Sequence, residues 1–273
     1  MENELRRGPI TGVWVVMVKN GTSIEGLLDG WESKRPLPIE DIQPCPFCEG
    51  NENDAPSEIL AFRKGGIPNG PGWKIRVVPN KFPIFQIHGE LDGKAVGMYD
   101  KLGGIGAHEI VVETPLHNRT LLTLDNKEVE DILWAYRERV LDLKKDRRFR
   151  YILVYKNYGP SVGASIKHSH SHIVATPVTP GRIKEELEGS KYYYKIKERC
   201  IYCDIIRQEI KNEERIILEN DHFLCFSPFA SIYPFQAWIT PKTHEVFFEQ
   251  NERYDLLASM LREILDKISK GLK

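Results

Sequence analysis

The sequence lacks a long apolar run and a strong excess of charge of either sign. No stretch approaches the roughly 20 apolar residues that cross a bilayer, so we expect no membrane partner. Across 273 residues, 38 Lys and Arg face 39 Asp and Glu, a net charge of -1. That balance gives no electrostatic basis for binding nucleic acid. The first residues, MENELRR, lack the apolar core of a signal peptide, and we therefore expect a cytoplasmic protein.

Cysteine is also scarce, with five residues in the chain. Four of them form two C-x-x-C pairs, Cys45 with Cys48 and Cys200 with Cys203. In a cytoplasmic protein such pairs indicate metal sites before disulfides. Cys225 falls within a strand pattern, and we expect it to pack as a small apolar residue.

One stretch, Lys156–Thr176, combines a glycine-rich turn with alternating histidines. The segments on either side are rich in β-branched and aromatic residues and are typical of strands. Alternate residues of a strand point to one face, so three imidazoles should project together: those of His168, His170 and His172. The backbone N–H groups of the turn could hold an anion. The combination indicates chemistry on a phosphate; the alternatives are a solvated edge strand or a metal chelate without catalysis.

The order of elements occurs twice along the chain. Each copy has a C-x-x-C pair, a strand, a turn, a second strand, a proline followed two or three residues later by a histidine (Pro115-Leu-His117 and Pro241-Lys-Thr-His244), and a helix with an apolar stripe. We interpret this order as an internal duplication of an α+β unit, with an antiparallel sheet and packed helices. The predicted halves are residues 1–176, with the histidine hairpin, and residues 177–273, which stop where the matching hairpin should begin. The polar segment Pro177–Tyr194 is predicted to connect them.

The helix before the histidine stretch has a clear predicted start. Asp125 is a candidate N-cap, and Glu128 three residues later completes a capping box. The apolar residues that follow recur at helical spacing and indicate core packing: Val129, Ile132, Leu133, Tyr136, Val140 and Leu143. A similar stripe over 256–265 predicts the last helix.

A closed tetrahedral metal site around Cys45 and Cys48 needs two more ligands. Our choice is His117, at the end of a strand, and His168, the first histidine of the alternating set. His108 is the alternative to His117. Four protein ligands leave no open coordination position, so the metal, which we expect to be zinc, would be structural.

By the same reasoning a second metal set contains Cys200, Cys203 and His244. This set has three ligands, and the sequence does not identify a fourth. We expect structural zinc here too, unless the site is open or empty.

Four motifs resemble the galactose-1-phosphate uridylyltransferase family, a branch of the histidine-triad superfamily that includes plant-type ADP-glucose phosphorylases. They are Cys45-x-x-Cys48, Asn80-Lys-Phe-Pro83, Pro115-Leu-His117 and Asn157-x-Gly-x-x-x-Gly163-x-Ser165-x-x-His168-x-His170. The resemblance extends from the first strand to the last helix. The histidine run is its most specific part.

The resemblance implies transfer of UMP or AMP between a nucleotide sugar and a sugar 1-phosphate. His170 matches the nucleophile that forms a covalent nucleotidyl-histidine intermediate. Ser165 and the backbone of Gly159 and Gly163 would bind phosphate oxygens, and Asn157 matches an active-site asparagine. The nucleoside would lie against a turn formed by Asn80, Lys81 and Phe82. The resemblance also suggests a homodimer.

The chain departs from the family at His172, where the transferases usually carry glutamine. A histidine there is typical of hydrolytic histidine-triad enzymes, in which it can donate a proton to the leaving group. Two alternatives therefore stay open: a nucleotide hydrolase, and an inactive zinc-stabilised nucleotide-binding protein.

Overall fold

The chain forms two compact units in a computed structural model that describes residues 4–12, 14–17, 44–159, 162, 164 and 166–271. One unit, called the central unit here, is Pro36–Thr179. The other, the terminal unit, contains Met1–Arg35 and Pro180–Lys273.

Both units contain strands and helices. The described strands are β1 (Glu4–Arg7), β2 (Trp14–Met17), β3 (Leu60–Arg63), β4 (Trp73–Pro79), β5 (Lys94–Val96), β6 (Tyr99–Lys101), β7 (Ala107–Val112), β8 (Tyr151–Tyr155), β9 (His170–Thr176), β10 (Ile216–Glu219), β11 (Phe223–Phe226) and β12 (Trp238–Pro241). The described α-helices are α1 (Asn126–Leu143), α2 (Gly181–Lys197), α3 (Ile201–Asn212) and α4 (Tyr254–Gly271). Short 3-10 helices cover Glu52–Asp54 and Phe248–Gln250.

The sheet of the central unit has five strands in the order β3-β4-β7-β9-β8. All neighbouring strands in it are antiparallel. The histidine strand β9 lies between β7 and β8, with Val112 paired to His170 and Ile110 to His172. An inner position in the sheet fixes the register of β9 on both sides, which fixes where its side chains point.

Helix α1 begins at the predicted capping box. The Glu128 backbone N–H donates to Asp125 Oδ1 at 2.8 Å, and the Asp125 N–H donates to Glu128 Oε2 at 2.7 Å. Most of the predicted stripe is buried, and a buried ion pair joins the helix to β7, with Arg139 donating to both carboxylate oxygens of Glu109 at 2.8 Å. The helix covers one face of the sheet and leaves the other for the histidines.

The terminal unit contains a three-stranded antiparallel sheet in the order β10-β11-β12. Helix α4 packs on it through a core that includes Phe223, Cys225, Met260 and Ile264. Cys225 is fully buried, as the strand pattern predicted. The sheets and helices confirm the α+β class, with β10-β11-β12 and α4 repeating the order of β3-β4-β7 and α1.

The segment Pro177–Tyr194, predicted to connect the halves, contains the boundary between the two units, at Thr179 and Pro180. Helix α2 covers most of it, and none of its side chains is buried. A helix without a buried face has no apolar stripe for periodicity to detect. The second C-x-x-C pair also differs from the first, because Cys200 is the N-cap of α3 and Cys203 lies in its first turn.

None of the helices that the structure describes is long and apolar enough to span a bilayer.

Candidate active site and metal centres

Four residues of the central unit converge as one candidate metal centre. The ligand atoms of Cys45, Cys48, His117 and His168 all lie within 4.8 Å of one another. His168 Nδ1 is 3.6 Å from Cys45 Sγ and 3.5 Å from Cys48 Sγ, and His117 Nδ1 is 3.4 Å from Cys48 Sγ. Two thiolates and two imidazoles are a typical closed zinc set.

The orientation of His168 suits metal binding. Its Nε2 lies 2.7 Å from the Thr114 carbonyl oxygen and donates to it, which leaves Nδ1 unprotonated toward the sulfur atoms. Burial is the main reason that the pKa of His168 falls to about 4. The ring is therefore neutral at pH 7, the form that binds a metal.

The second predicted set also comes together, in the terminal unit. Cys200, Cys203 and His244 have their ligand atoms within 4.8 Å of one another. Cys203 Sγ lies 3.1 Å from His244 Nδ1, and burial raises the pKa of the Cys203 thiol, with the neighbouring Cys200 adding to the shift. These three ligands from the described residues would fill three of the four positions around a tetrahedral metal ion, and another group would have to fill the fourth.

His170 lies two residues beyond His168 and stands apart from the metal centre. It is 6% exposed, and its Nδ1 donates to the carbonyl oxygen of His168 at 2.7 Å. That hydrogen bond places the proton on Nδ1 and leaves an electron pair on Nε2. Burial chiefly, and the charge of Lys156 in addition, lower the pKa of His170. A neutral imidazole with a fixed tautomer is a competent nucleophile.

A cavity of about 540 Å³ lies beside His170. Asn157 and Gly159 line it together with two lysines, Lys156 and Lys167. Gly159 has φ of +94°, a conformation that favours glycine. Lys167 supplies positive charge that suits phosphate oxygens, whereas the Lys156 ammonium is paired with Glu113. Two further predicted residues of this turn, Gly163 and Ser165, lie outside the described residues.

The predicted nucleoside turn lies at the end of β4, next to β7. Its Asn80 accepts a hydrogen bond from the Phe82 backbone N–H at 3.0 Å, and its own N–H donates to the His108 carbonyl at 2.8 Å. Lys81 is exposed, and Phe82 is 82% exposed. An aromatic ring left in solvent at this point is available to stack on a base.

The structure pairs His108 with His172. His108 Nε2 lies 3.1 Å from His172 Nδ1, and the His172 ring stacks on Tyr155 with centroids 4.8 Å apart. Sequence reasoning considered His108 only as a competitor to His117 for metal. In the structure it lies outside the metal group, and the neighbouring Asn80 amide nitrogen is within 3.2 Å of both its ring nitrogens.

The hydrogen bonds around His108 influence which ring nitrogen of His172 carries the proton. The Ile84 backbone N–H can only donate, and it reaches His108 Nδ1 at 3.4 Å. The Asn80 amide nitrogen, also a donor, lies 3.0 Å from His108 Nε2. The Ile84 contact nevertheless favours the His108 tautomer with its proton on Nε2, donated to His172 Nδ1. His172 then keeps its own proton on Nε2 and presents an N–H donor, as a glutamine amide would. Burial chiefly lowers the pKa of His172 to about 4, so the ring is neutral at pH 7.

Sequence reasoning missed the residues behind the histidine strand. Ser169 and Ser171 alternate with the histidines, so their side chains face α1, and there they contact the buried carboxylate of Glu113. The alternation itself was the available signal. Glu113 and Lys156, which form an ion pair at 2.7 Å, carried no signal in the sequence.

Known proteins are similar to this chain in sequence. A family model described as "Galactose-1-phosphate uridyl transferase, N-terminal domain" matches residues 81–180. ADP-glucose phosphorylase of Arabidopsis thaliana is 34% identical over 98% of this chain and 75% of its own length. Galactose-1-phosphate uridylyltransferase of Thermotoga maritima is 28% identical over 98% of this chain and 76% of its own length.

Solved structures agree. A crystal structure of the Arabidopsis thaliana ADP-glucose phosphorylase with bound ADP-glucose has a TM-score of 0.79 and 32% identity, covering 99% of this chain and 79% of that one. A structure titled as a uridylyltransferase has a TM-score of 0.70 and 26% identity, covering 96% and 73%. The chain belongs to the galactose-1-phosphate uridylyltransferase family of hexose-1-phosphate nucleotidyltransferases.

Proposed function

We propose that this protein transfers a nucleoside monophosphate between a nucleotide sugar and a sugar 1-phosphate, with His170 as the covalent carrier. The observation that carries the proposal is the state of His170. Its Nδ1 is bound to the His168 carbonyl at 2.7 Å, and it lies outside the metal group. Its Nε2 is therefore left to react. Family membership supports the same activity.

The first step forms one bond and breaks another. The electron pair on His170 Nε2 attacks the α-phosphorus, and the bond to the bridging oxygen breaks. The sugar 1-phosphate leaves with that electron pair, and the nucleotide stays on His170 as a phosphoramidate. A phosphate oxygen of the second sugar 1-phosphate then attacks the same phosphorus and releases Nε2.

Hydrogen-bond donors around the cavity would stabilise charge on the phosphoryl oxygens during both steps. Asn157 and Gly159 line the cavity beside His170, which supports this role for the Asn157 side chain and the Gly159 backbone. Gly163 and Ser165 are assigned to it from the family motif. His172 Nε2–H is a further donor, in the position where the family's transferases usually carry glutamine.

We propose that the metal in the central unit is zinc, held by Cys45, Cys48, His117 and His168. Four protein ligands would make this a structural ion. It would hold the start of β9, two residues before His170. The set of Cys200, Cys203 and His244 is proposed as a second structural zinc site.

The turn of Asn80, Lys81 and Phe82 is proposed to hold the nucleoside. The higher identity to the ADP-glucose phosphorylase than to the uridylyltransferase favours adenosine over uridine. ADP-glucose is therefore the first donor to test, and UDP-glucose the second.

The test is the intact mass of the protein after incubation with each donor. An AMP adduct adds about 329 Da and a UMP adduct about 306 Da. We expect the adduct in the wild-type protein and none in His170→Ala. An adduct of equal yield in His170→Ala, or none in the wild type with any donor, would contradict the proposal.

Hydrolysis is the second candidate, because His172 replaces the glutamine of the transferases. A hydrolase would release free nucleotide from ADP-glucose without a sugar 1-phosphate, and His172→Gln would remove most of that release. The neutral state of His172 favours transfer, since the ring offers an N–H but no imidazolium at pH 7. A protein that binds nucleotide with neither adduct nor turnover would instead be an inactive binding protein.

We also propose two histidine-triad-like halves, residues 1–176 and 177–273, a cytoplasmic location and a homodimer. Within the described part of the terminal unit, β12 pairs only with β11, and an unpaired strand edge is a surface on which another chain can add. Sedimentation velocity tests the dimer, and a monomer at all protein concentrations would contradict it.

A further inference from the structure

Two strands of the central sheet end, and a third begins, beside one largely buried ion pair. Glu113 directly follows β7, and Lys156 directly follows β8. Lys156 Nζ lies 2.7 Å from Glu113 Oε2, and the Glu113 side chain is fully buried. The third strand is β9, whose first residue is His170.

The Lys156 ammonium donates two further hydrogen bonds, both to the start of β9. One goes to Ser169 Oγ at 3.0 Å and the other to the carbonyl oxygen of His170 at 2.9 Å. The paired residues of β8 and β9 end at Tyr155 and His172. The Lys156 side chain therefore holds the backbone of His170 on the β8 side, beyond the last residue pair between β8 and β9.

Glu113 binds the same segment from the helix side. Its Oε2 accepts from Ser169 Oγ at 2.6 Å, and its Oε1 accepts from Ser171 Oγ and from the Tyr136 hydroxyl at 3.4 Å. Tyr136 also lies 2.5 Å from Ser171 Oγ. The residues before and after His170 are thus fixed to one carboxylate.

A buried ion pair is weak evidence for stability, because two charges lose their hydration. A polar network in which every member is bonded does make its surroundings rigid. Here the network encloses the backbone of His170, and the His168 carbonyl that orients the His170 ring lies on the same segment. A nucleophile misplaced by about 1 Å can lose about a hundredfold in rate.

We propose that Lys156 and Glu113 are positioning residues that hold the backbone at Ser169 and His170, so that His170 Nε2 reaches the α-phosphorus. This inference rests on the proposed function of His170. Neither residue needs to touch the substrate for this role.

The experiment measures the single-turnover rate of adduct formation from ADP-glucose, together with donor affinity, metal content and melting temperature. In Lys156→Met we expect the rate to fall by about tenfold to a hundredfold, with the donor Kd within about twofold of wild type. Lys156→Arg should recover part of the rate, because it restores the charge and the donors. Glu113→Gln, which keeps a hydrogen-bond acceptor but not the charge, should also lower the rate of adduct formation.

The matched control is Arg139→Met, which removes the other buried ion pair on this face of the sheet, to Glu109. It should lower the melting temperature and leave the adduct rate of the folded protein unchanged. The inference is overturned if Lys156→Met reacts as fast as Arg139→Met, or if its loss lies entirely in donor affinity. A wild-type protein that forms no adduct would overturn the proposed function instead.

Discussion

The pair of His108 and His172 acts at the scale of single side chains. In the tautomer that the Ile84 N–H contact favours, His108 accepts on Nδ1 and donates its own proton to His172 Nδ1. The tautomer of a histidine is set by the hydrogen bond on its other nitrogen. In this arrangement His172 can replace a glutamine in a transferase because both present an N–H to the phosphoryl group.

The change His108→Phe should therefore damage catalysis without removing any group that contacts the reacting phosphorus. Phenylalanine cannot donate to His172 Nδ1, so His172 can adopt the tautomer with no proton on Nε2. We expect kcat for nucleotidyl transfer to fall about tenfold, less than the roughly 10²–10⁴-fold of a general acid–base group that is lost outright, because His172 itself remains. His88→Phe, at an exposed histidine, is the control, and an equal kcat in both variants would contradict the relay.

Acid should destabilise the protein partly through His172. Burial, followed by the charges of His170, His108 and Lys156, lowers the pKa of His172 to about 4 from 6.5. Because the folded-state pKa is lowered, the unfolded chain takes up the proton first as pH falls below 6.5. The stability is complete above pH 6.5 and is lost as pH falls toward 4.

The change His172→Gln isolates this contribution. Urea unfolding of the wild type and of His172→Gln, each at pH 7.5 and pH 5, gives the unfolding free energy that each protein loses between the two pH values. That loss should be smaller in His172→Gln. The difference is at most about 1.4 kcal/mol per pH unit for one group. Equal losses would show that His172 does not titrate below its ordinary range in the folded protein.

At the scale of elements, the capping box of α1 should stabilise the fold without affecting catalysis. Asp125 accepts from the Glu128 N–H at 2.8 Å, and Asp125→Ala should cost about 1 kcal/mol of unfolding free energy. Adduct formation at 25 °C should not change. Glu138→Ala, on the solvent side of the same helix, should cost less than about 0.5 kcal/mol, and an equal loss in both would contradict the cap.

The elements that sequence reasoning predicted share a signal that the missed ones lack. Helix α1 has a cap and an apolar stripe, and β7 and β9 are β-branched runs. Helix α2 has no buried side chain, so only its tertiary context distinguishes it from a polar connection.

In the site, the C-x-x-C spacing of the metal-group cysteines is visible in the sequence. The contact of His108 with His172 depends instead on the pairing of Ile110 with His172. No local pattern encodes that register.

At the scale of the whole molecule, each unit contains its own metal group. Cys45 and Cys48 lie in the central unit, with His117 and His168. Cys200, Cys203 and His244 lie in the terminal unit. A metal that binds only the folded state stabilises the unit that contains its ligands. Metal binding at each of the two sites should therefore stabilise a different unfolding transition.

Calorimetry of zinc-loaded Cys45→Ser and Cys203→Ser tests this separation. Cys45→Ser should lose the central metal and lower one unfolding transition by about 5 °C or more. Cys203→Ser should lower the other transition and leave the first in place. Adduct formation should fall in Cys45→Ser, because the central metal group includes His168, whose carbonyl orients His170, and it should persist in Cys203→Ser. A single transition that both variants shift alike would mean that the units unfold together. An adduct rate that falls equally in both variants would contradict the assignment of the chemistry to the central unit.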